Sequence, residues 1–222
     1  MSSDEPEGRA VTNPIDLMQF WDRPVPPDDV DELMESWRSD PQFVHHQFSW
    51  ESAHDYVADH FDARMTGVFE ACAVPAMQAD VFRLCWLLVN GGIYIDADQG
   101  NRGRNERFVD TAWRGHLFFR NPDTPTIVNG VLSFFAPADP LVAHWLEQTA
   151  ANIERRMAGG VWAVSGPGVI SKIYTDLGRD HPLFHGVRIH GVLALRDTIY
   201  FPDPEYKNGP RHWTRAEGSI YR

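Results

Sequence analysis

The stretch YIDADQG, residues 94–100, sets Asp96 and Asp98 one residue apart where an apolar run gives way to a polar one. On a continuing strand successive side chains alternate between faces, so both carboxylates are expected on one side with Ala97 turned away. Two like charges that close repel unless they share a cation. Hard oxygen ligands at this spacing suit Mg²⁺ or Mn²⁺, ions that are seldom caged by protein alone and are taken up together with a phosphate-bearing substrate. The plainer reading is that the pair only ends a strand and caps a turn.

A second charged pair, Asp80 and Arg83, lies three residues apart in PAMQADVFRLCWLLVN, flanked by Met77, Val81, Leu84 and Leu87. At that spacing the two share a helix face. On so apolar a helix they must satisfy each other or look onto a polar cleft. A buried salt bridge and a pair presented to a ligand in a cleft both answer that need, and one pair can serve as both.

Other residues carry weaker signals. Arg102, Arg104 and Arg107 follow the aspartates in a Gly- and Asn-containing loop, either to neutralise phosphates or simply as solvated surface. Ser165-Gly166-Pro167-Gly168 lacks the GxSxG order of a nucleophile elbow and reads as a backbone turn near substrate. His45, His46 and His54 show no metal spacing with carboxylates. Trp162 and Trp213 are candidates for stacking on a base or sugar, or for packing.

These groups need a scaffold, and the composition supplies one. With 222 residues and 43% hydrophobic content, the chain is long enough for one domain with a sizeable core. Its formal net charge of −11 and the lack of an extended Lys/Arg face set nucleic acid aside as a partner. No apolar run reaches the roughly 18 residues of a membrane span, and the start MSSDEPEGRA is unlike a signal peptide, so a cytoplasmic protein without a transmembrane segment is expected. Cys72 and Cys85 read as buried free thiols.

Along the chain, residues 1–13 read as an irregular N-terminus and 14–222 as one domain. Ile15–Trp21 is a first strand ended by Pro24, Pro26 and Pro27. A helix follows with Asp28 as its N-cap, then a strand in QFVHHQFSW and helical pattern from Ser52 to about Cys72. The clearest helix opens at Pro75 and stops at Asn90-Gly91-Gly92, and IYIDAD follows as a strand. GHLFF and IVNGVLSFFA are strands. The helix from Pro140 has Asp139 as N-cap and closes at Gly159-Gly160. The alternation predicts an α/β fold around a mixed, mostly parallel sheet flanked by helices.

The run AMQADVFRLCWLLVNGGIYIDAD, residues 76–98, resembles the core motif of the DXD-containing glycosyltransferases. That family includes the yeast initiating α-1,6-mannosyltransferase and bacterial capsule-type sugar transferases, and more distantly the clostridial glucosylating toxins. Its pattern is Ala/Ser-Asp, Arg three residues later, an apolar helix, then Gly-Gly-Ile/Val-Tyr-Leu/Ile-Asp-x-Asp, matched here at each point. IDLMQFW resembles the first strand without its usual Lys and His. IVNGVLSFFAPADPLVAHWL, VWAVSGPGVIS, YFPDPEY and RHWTRAEGSIYR resemble later elements, with Tyr221 where Trp is usual.

The resemblance implies a single GT-A domain, Rossmann-like, that moves a hexose from a UDP- or GDP-sugar to an acceptor, with Mn²⁺ or Mg²⁺ and retention of configuration. Asp96, Asp98 and His212 would bind the metal. Asp80, Arg83 and Asn129 would hold the donor sugar, Gln19 and Trp21 the nucleotide, and Ser165, Gly166 and Trp213 would line the substrate site. Asp80, Arg83, Asp96 and Asp98 form the expected catalytic set. The alternatives are a Mg²⁺-dependent phosphatase-like hydrolase that uses the DxD pair, and a non-catalytic nucleotide-sugar-binding module.

Overall fold

The computed structural model describes residues 13–106, 108–121, 124–208 and 219–222. In chain order the elements are β1 (Ile15–Phe20), α1 (Asp28–Arg38), β2 (Phe43–Phe48), α2 (Trp50–His60), α3 (Ala63–Glu70), α4 (Pro75–Asn90), β3 (Gly92–Ile95) and β4 (Gly100–Asn101). They continue with β5 (Gly115–Asn121), β6 (Thr124–Phe134), α5 (Pro140–Glu154), α6 (Val161–Val164), α7 (Pro167–Leu177), β7 (Val187–Gly191) and β8 (Ile199–Tyr200). Short 3₁₀ turns occur at Pro182–Phe184, Val192–Leu195 and Glu205–Asn208.

Six strands form one sheet in the order β2-β1-β3-β6-β5-β7, and β4 pairs with β8 apart from it. β1 runs parallel to β2 and β3, and β5 parallel to β7, while β6 is antiparallel to both β3 and β5. The sheet is therefore mixed and mostly parallel, with helices against it, as the alternating pattern predicts.

Helix α4 is the centre of the core, with every residue from Met77 to Leu87 buried. An all-round buried helix needs apolar side chains on all faces, and this one has them except at Gln78, Asp80 and Arg83. Pro75 stands at its first position, where the missing N–H costs nothing. At its exit Gly91 and Gly92 have φ of 70° and 99°. A Cβ on Gly92 would lie 2.5 Å from the Asp16 carbonyl oxygen, so the chain can turn from α4 into β3 only with glycine there.

Several boundaries differ from the sequence expectation. Pro27, not Asp28, is the N-cap of α1, and Asp28 is its first helical residue. The segment from Ser52 to Cys72 is two helices, because Asp62 accepts a hydrogen bond from the Met65 amide and starts α3 afresh. Asp139 caps α5 as expected, with its carboxylate accepting from Leu141 and Val142. That helix ends at Glu154, before the glycine pair, where Arg156 adopts a φ of 47°. β3 ends at Ile95, so Asp96 and Asp98 lie in a turn and not on alternating strand positions. Cys72 and Cys85 are buried free thiols.

Candidate functional site

The turn that carries Asp96 and Asp98 is fastened by three elements, β6, β1 and α1. The Asp96 amide donates to the Gly130 carbonyl on β6 at 2.9 Å, and its own carbonyl accepts from Gln19 Nε2 on β1 at 3.3 Å. The Gln99 carbonyl accepts from Trp37 Nε1 on α1 at 2.6 Å. Ala97 packs with Val30 and Met34 of the same helix. A turn held this way keeps two repelling carboxylates at fixed positions, which isolated loop geometry could not do.

On the α4 side Arg83 is the hub, itself only 4% exposed. Its guanidinium reaches Asp80 Oδ1 at 3.0 Å and Asp96 Oδ1 at 3.4 Å, donates to the Ala79 and Asn129 carbonyls, and lies 4.2 Å over the Tyr94 ring. Planar, forked donors let one side chain serve two carboxylates at once. Asp80 also accepts from Asn129 Nδ2 at 2.7 Å on Oδ1 and from the Ser165 hydroxyl at 2.8 Å on Oδ2. Burial pushes the Asp80 carboxyl up to about 6, with Arg83 the main influence the other way. Burial likewise raises Asp96, against the pull of Arg83 and with a smaller push from Asp98.

Asp96 Oδ1 further accepts from the Tyr94 hydroxyl at 2.7 Å, and its Oδ2 from Gln99 Nε2 at 3.4 Å. Asp98 is answered from the far end of the chain. Its Oδ2 accepts from the Tyr206 hydroxyl at 2.7 Å and stands 2.7 Å from Lys207 Nζ. Among the described residues the two aspartates do not share one ion-pair partner but have one each, Arg83 and Lys207.

Asp80, Arg83, Asp96 and Asp98 open together onto one cavity of about 940 Å³. Trp21, Arg23 and the Val25-Pro26-Pro27 stretch line one side, with Tyr206 and Lys207. Arg120, Asn129, Trp162, Leu193 and Arg196 line another. A large, mostly apolar cleft with a few convergent charged groups is the usual form of a small-molecule site.

The predicted residues are brought together unevenly. Trp21 lines the cavity and meets Tyr206 edge-on at 5.0 Å. Gln19, expected against the nucleotide, is fully buried and spans from the Asp96 carbonyl to His45, so it supports the turn and offers no surface to a ligand. Asn129 lines the cavity as expected. Ser165 is buried and reaches the site only through Asp80, and Gly166 is the N-cap of α7. His212, Trp213 and Arg107 lie outside the described residues. Arg102 stacks on Tyr200, away from the cavity, and Arg104 is not among its lining residues.

Sequence reasoning missed Tyr94, Gln99, Tyr206, Lys207, Arg120 and Arg196. Tyr94 and Gln99 flank the aspartates and were open to notice. The other four come from segments remote in sequence, and only folding assembles them.

The residues present fit a hard divalent cation. Two half-buried carboxylates face the cavity, and each already draws a positive group to itself. Beside them Gln99 Oε1 is buried with no hydrogen-bond partner among the described residues. Gly130 leaves the space against Asp96 that any side chain would fill. Among the described residues no cluster of three His, Cys, Asp or Glu could hold a metal by itself, so a bound cation would complete its shell from substrate and water.

Residues 27–106 match the glycosyltransferase sugar-binding region containing a DXD motif. The solved structure of the PaToxG glycosyltransferase is similar in fold, with a TM-score of 0.52 at 14% identity, over 94% of this chain and 86% of that one. No curated protein matches the sequence. The matched region takes in α1, α4 and the turn with both aspartates, and the shared fold extends over nearly the whole chain.

Proposed function

We propose that the protein is a glycosyltransferase that moves a sugar from a nucleotide-sugar donor, UDP- or GDP-linked, to an acceptor hydroxyl, with Mn²⁺ or Mg²⁺ and with retention of anomeric configuration. The observation that carries this reading is the network Asp80–Arg83–Asp96, with Asp98 beside it on the same turn, at the wall of the 940 Å³ cavity. The match over residues 27–106 and the shared fold of a glycosyltransferase support it.

In the reaction the bond between the sugar's anomeric carbon and the donor phosphate oxygen breaks, the acceptor oxygen forms the new bond to that carbon, and the acceptor's proton passes to the departing phosphate oxygen and on to solvent. Asp80 Oδ2 accepts one hydrogen bond, from Ser165, and so keeps an accepting position for a sugar hydroxyl. Arg83 orients Asp80 and Asp96 together, so that donor sugar and diphosphate are fixed relative to each other. Trp21, on the wall beside the DxD turn, offers an aromatic face for the base. Asp96 and Asp98 would hold the divalent cation, which would supply positive charge to stabilise the leaving nucleoside diphosphate. Trp162 and Leu193 add exposed apolar surface to the cavity lining, which a bound donor or acceptor would cover.

The test is a melting-temperature panel with UDP, GDP, CMP and their sugars, each with and without Mn²⁺. A ligand at 100 times its Kd stabilises the native state by about 2.7 kcal/mol, well within detection. Stabilisation by one nucleotide class only in the presence of metal is the expected result. A shift with inorganic phosphate and Mg²⁺, and none with nucleotides, would move the assignment to the hydrolase.

A further inference from the structure

We infer that Lys207 is the resident cation of Asp98, the second aspartate of the DxD pair, and competes with a divalent metal ion for it, leaving Asp98 when a nucleoside diphosphate enters. The inference rests on the transferase reading above.

The two aspartates are neutralised by protein groups of different kinds. Arg83, which answers Asp96, sits inside α4 at 4% exposure and is fixed by further bonds to Asp80, Ala79 and Asn129. It cannot leave without disrupting the core. Lys207, which answers Asp98, stands on the 3₁₀ turn Glu205–Asn208, and among the described residues its ammonium makes one further hydrogen bond, to the Pro202 carbonyl at 3.3 Å. It is one of two lysines in a chain with eighteen arginines. A lysine ammonium is a compact point charge on a flexible stem, the protein group nearest in form to a small cation.

The turn that carries Lys207 is seated beside Trp21 in the cavity lining. Tyr206 donates to the same Asp98 oxygen, meets Trp21 edge-on, and packs against the cluster of Val30, Met34 and Ala97. The Glu205 amide donates to Asp29 Oδ2 at 2.9 Å. The ammonium is thereby placed 2.7 Å from the oxygen a metal would need, with the Asp98 side chain 14% exposed and that of Lys207 26%. So sheltered a pair is little screened by water. A divalent cation and an ammonium cannot both occupy Asp98 Oδ2 without strong repulsion.

Two consequences follow. Metal alone binds weakly, because it must displace Lys207 and leave that charge without its carboxylate. When a diphosphate enters, Lys207 gains an anionic partner on the ligand, so nucleotide and metal each strengthen the other's binding by the same factor.

The experiment is a Mn²⁺ titration followed by electron paramagnetic resonance on the full chain, alone and with UDP or, separately, GDP. It compares wild type with Lys207→Met and Lys207→Arg, with melting curves to confirm folding. K207M is expected to bind Mn²⁺ alone about tenfold more tightly than wild type and to lose most of the strengthening by nucleotide. K207R, which keeps the charge, is expected to follow wild type. Tyr206→Phe, which keeps Lys207, serves as a second variant and is expected to stay close to wild type. Equal Mn²⁺ affinity in wild type and K207M, with metal-dependent nucleotide binding intact in both, overturns the competition and spares the transferase reading. Loss of all metal-dependent nucleotide binding in wild type itself overturns both.

Discussion

A Cβ on Gly130 would lie 2.3 Å from Asp96 Oδ2 and 2.8 Å from Gln99 Nε2. The glycine on β6 therefore sets how deep the Asp96 carboxylate sits, through nothing but the space it leaves. Gly130→Ala is expected to push that carboxylate off its bonds to Tyr94 and Gln99. A displacement of about 1 Å in a reacting constellation can cost about 10²-fold in rate, and overpacking of this kind costs about 1–3 kcal/mol of stability. Turnover with the donor named by the melting panel, beside a urea melt, checks both. A fully active G130A would show that Asp96 is not needed where it stands.

Asp98→Asn is expected to remove turnover while the fold survives. The amide keeps an oxygen for the Tyr206 hydroxyl but cannot answer Lys207 or a divalent cation. The pair is only partly exposed, so the stability lost is about 1–2 kcal/mol, between the values for surface and buried pairs. Steady-state rates and a thermal melt measure the two effects separately. A D98N protein with wild-type rates would remove the metal site from the proposed function.

Arg83→Met should damage the protein more than any change at Asp98. It leaves Asp80 buried and Asp96 half-buried without their counter-charge, a loss of about 3–5 kcal/mol for a buried pair broken on one side. Arg83→Lys is expected to recover only part of that, because a single ammonium cannot reproduce the fork that serves two carboxylates and two carbonyls. Urea denaturation of both variants provides the measurement. An unchanged midpoint in R83M would contradict the buried hub.

Asp80 gives the site a dependence on pH. Its carboxyl is raised to about 6 in the fold, above the ordinary 3.8 that the unfolded chain retains. For stability, the fold gains most below the unfolded value, and the gain is lost as pH rises through about 6 and the buried group ionises. For binding the sign is opposite, since the ionised form faces Arg83 and accepts from a sugar hydroxyl. Donor affinity should therefore fall as pH drops through about 6. The titration is best made with a nucleotide-sugar, because a free terminal phosphate itself titrates near 6. Asp80→Asn is expected to bind weakly with no step near that pH. A wild-type affinity flat from pH 5 to 8 would show that Asp80 does not touch the donor.

Much of the fold was written in local signals. The apolar run of α4, Pro75 at its start and the positive-φ glycines at its end are chemistry that a chain displays in order, and the boundaries held. The cap at Asp139 held for the same reason, since a carboxylate and two amides within three residues need no distant partner. Asp80 with Arg83, and Asp96 with Asp98, were legible as pairs because one turn of helix and one turn of chain bring them together by themselves.

What joins those pairs was not legible. Asp80 meets Ser165 across 85 residues, and Asp98 meets Tyr206 across 108. Gln19 lies in the expected strand, yet packing turns it under the aspartate turn and not toward a ligand. Local periodicity cannot report such contacts, because burial side and partner depend on how β1, β6, α1 and the late 3₁₀ turn close around one another. The sequence by itself determined the α/β alternation and the two charged pairs, Asp80 with Arg83 and Asp96 with Asp98. Only the tertiary structure decided that Arg83 and Lys207 divide the aspartates between them, since a buried carboxylate takes whichever cation the fold brings within reach.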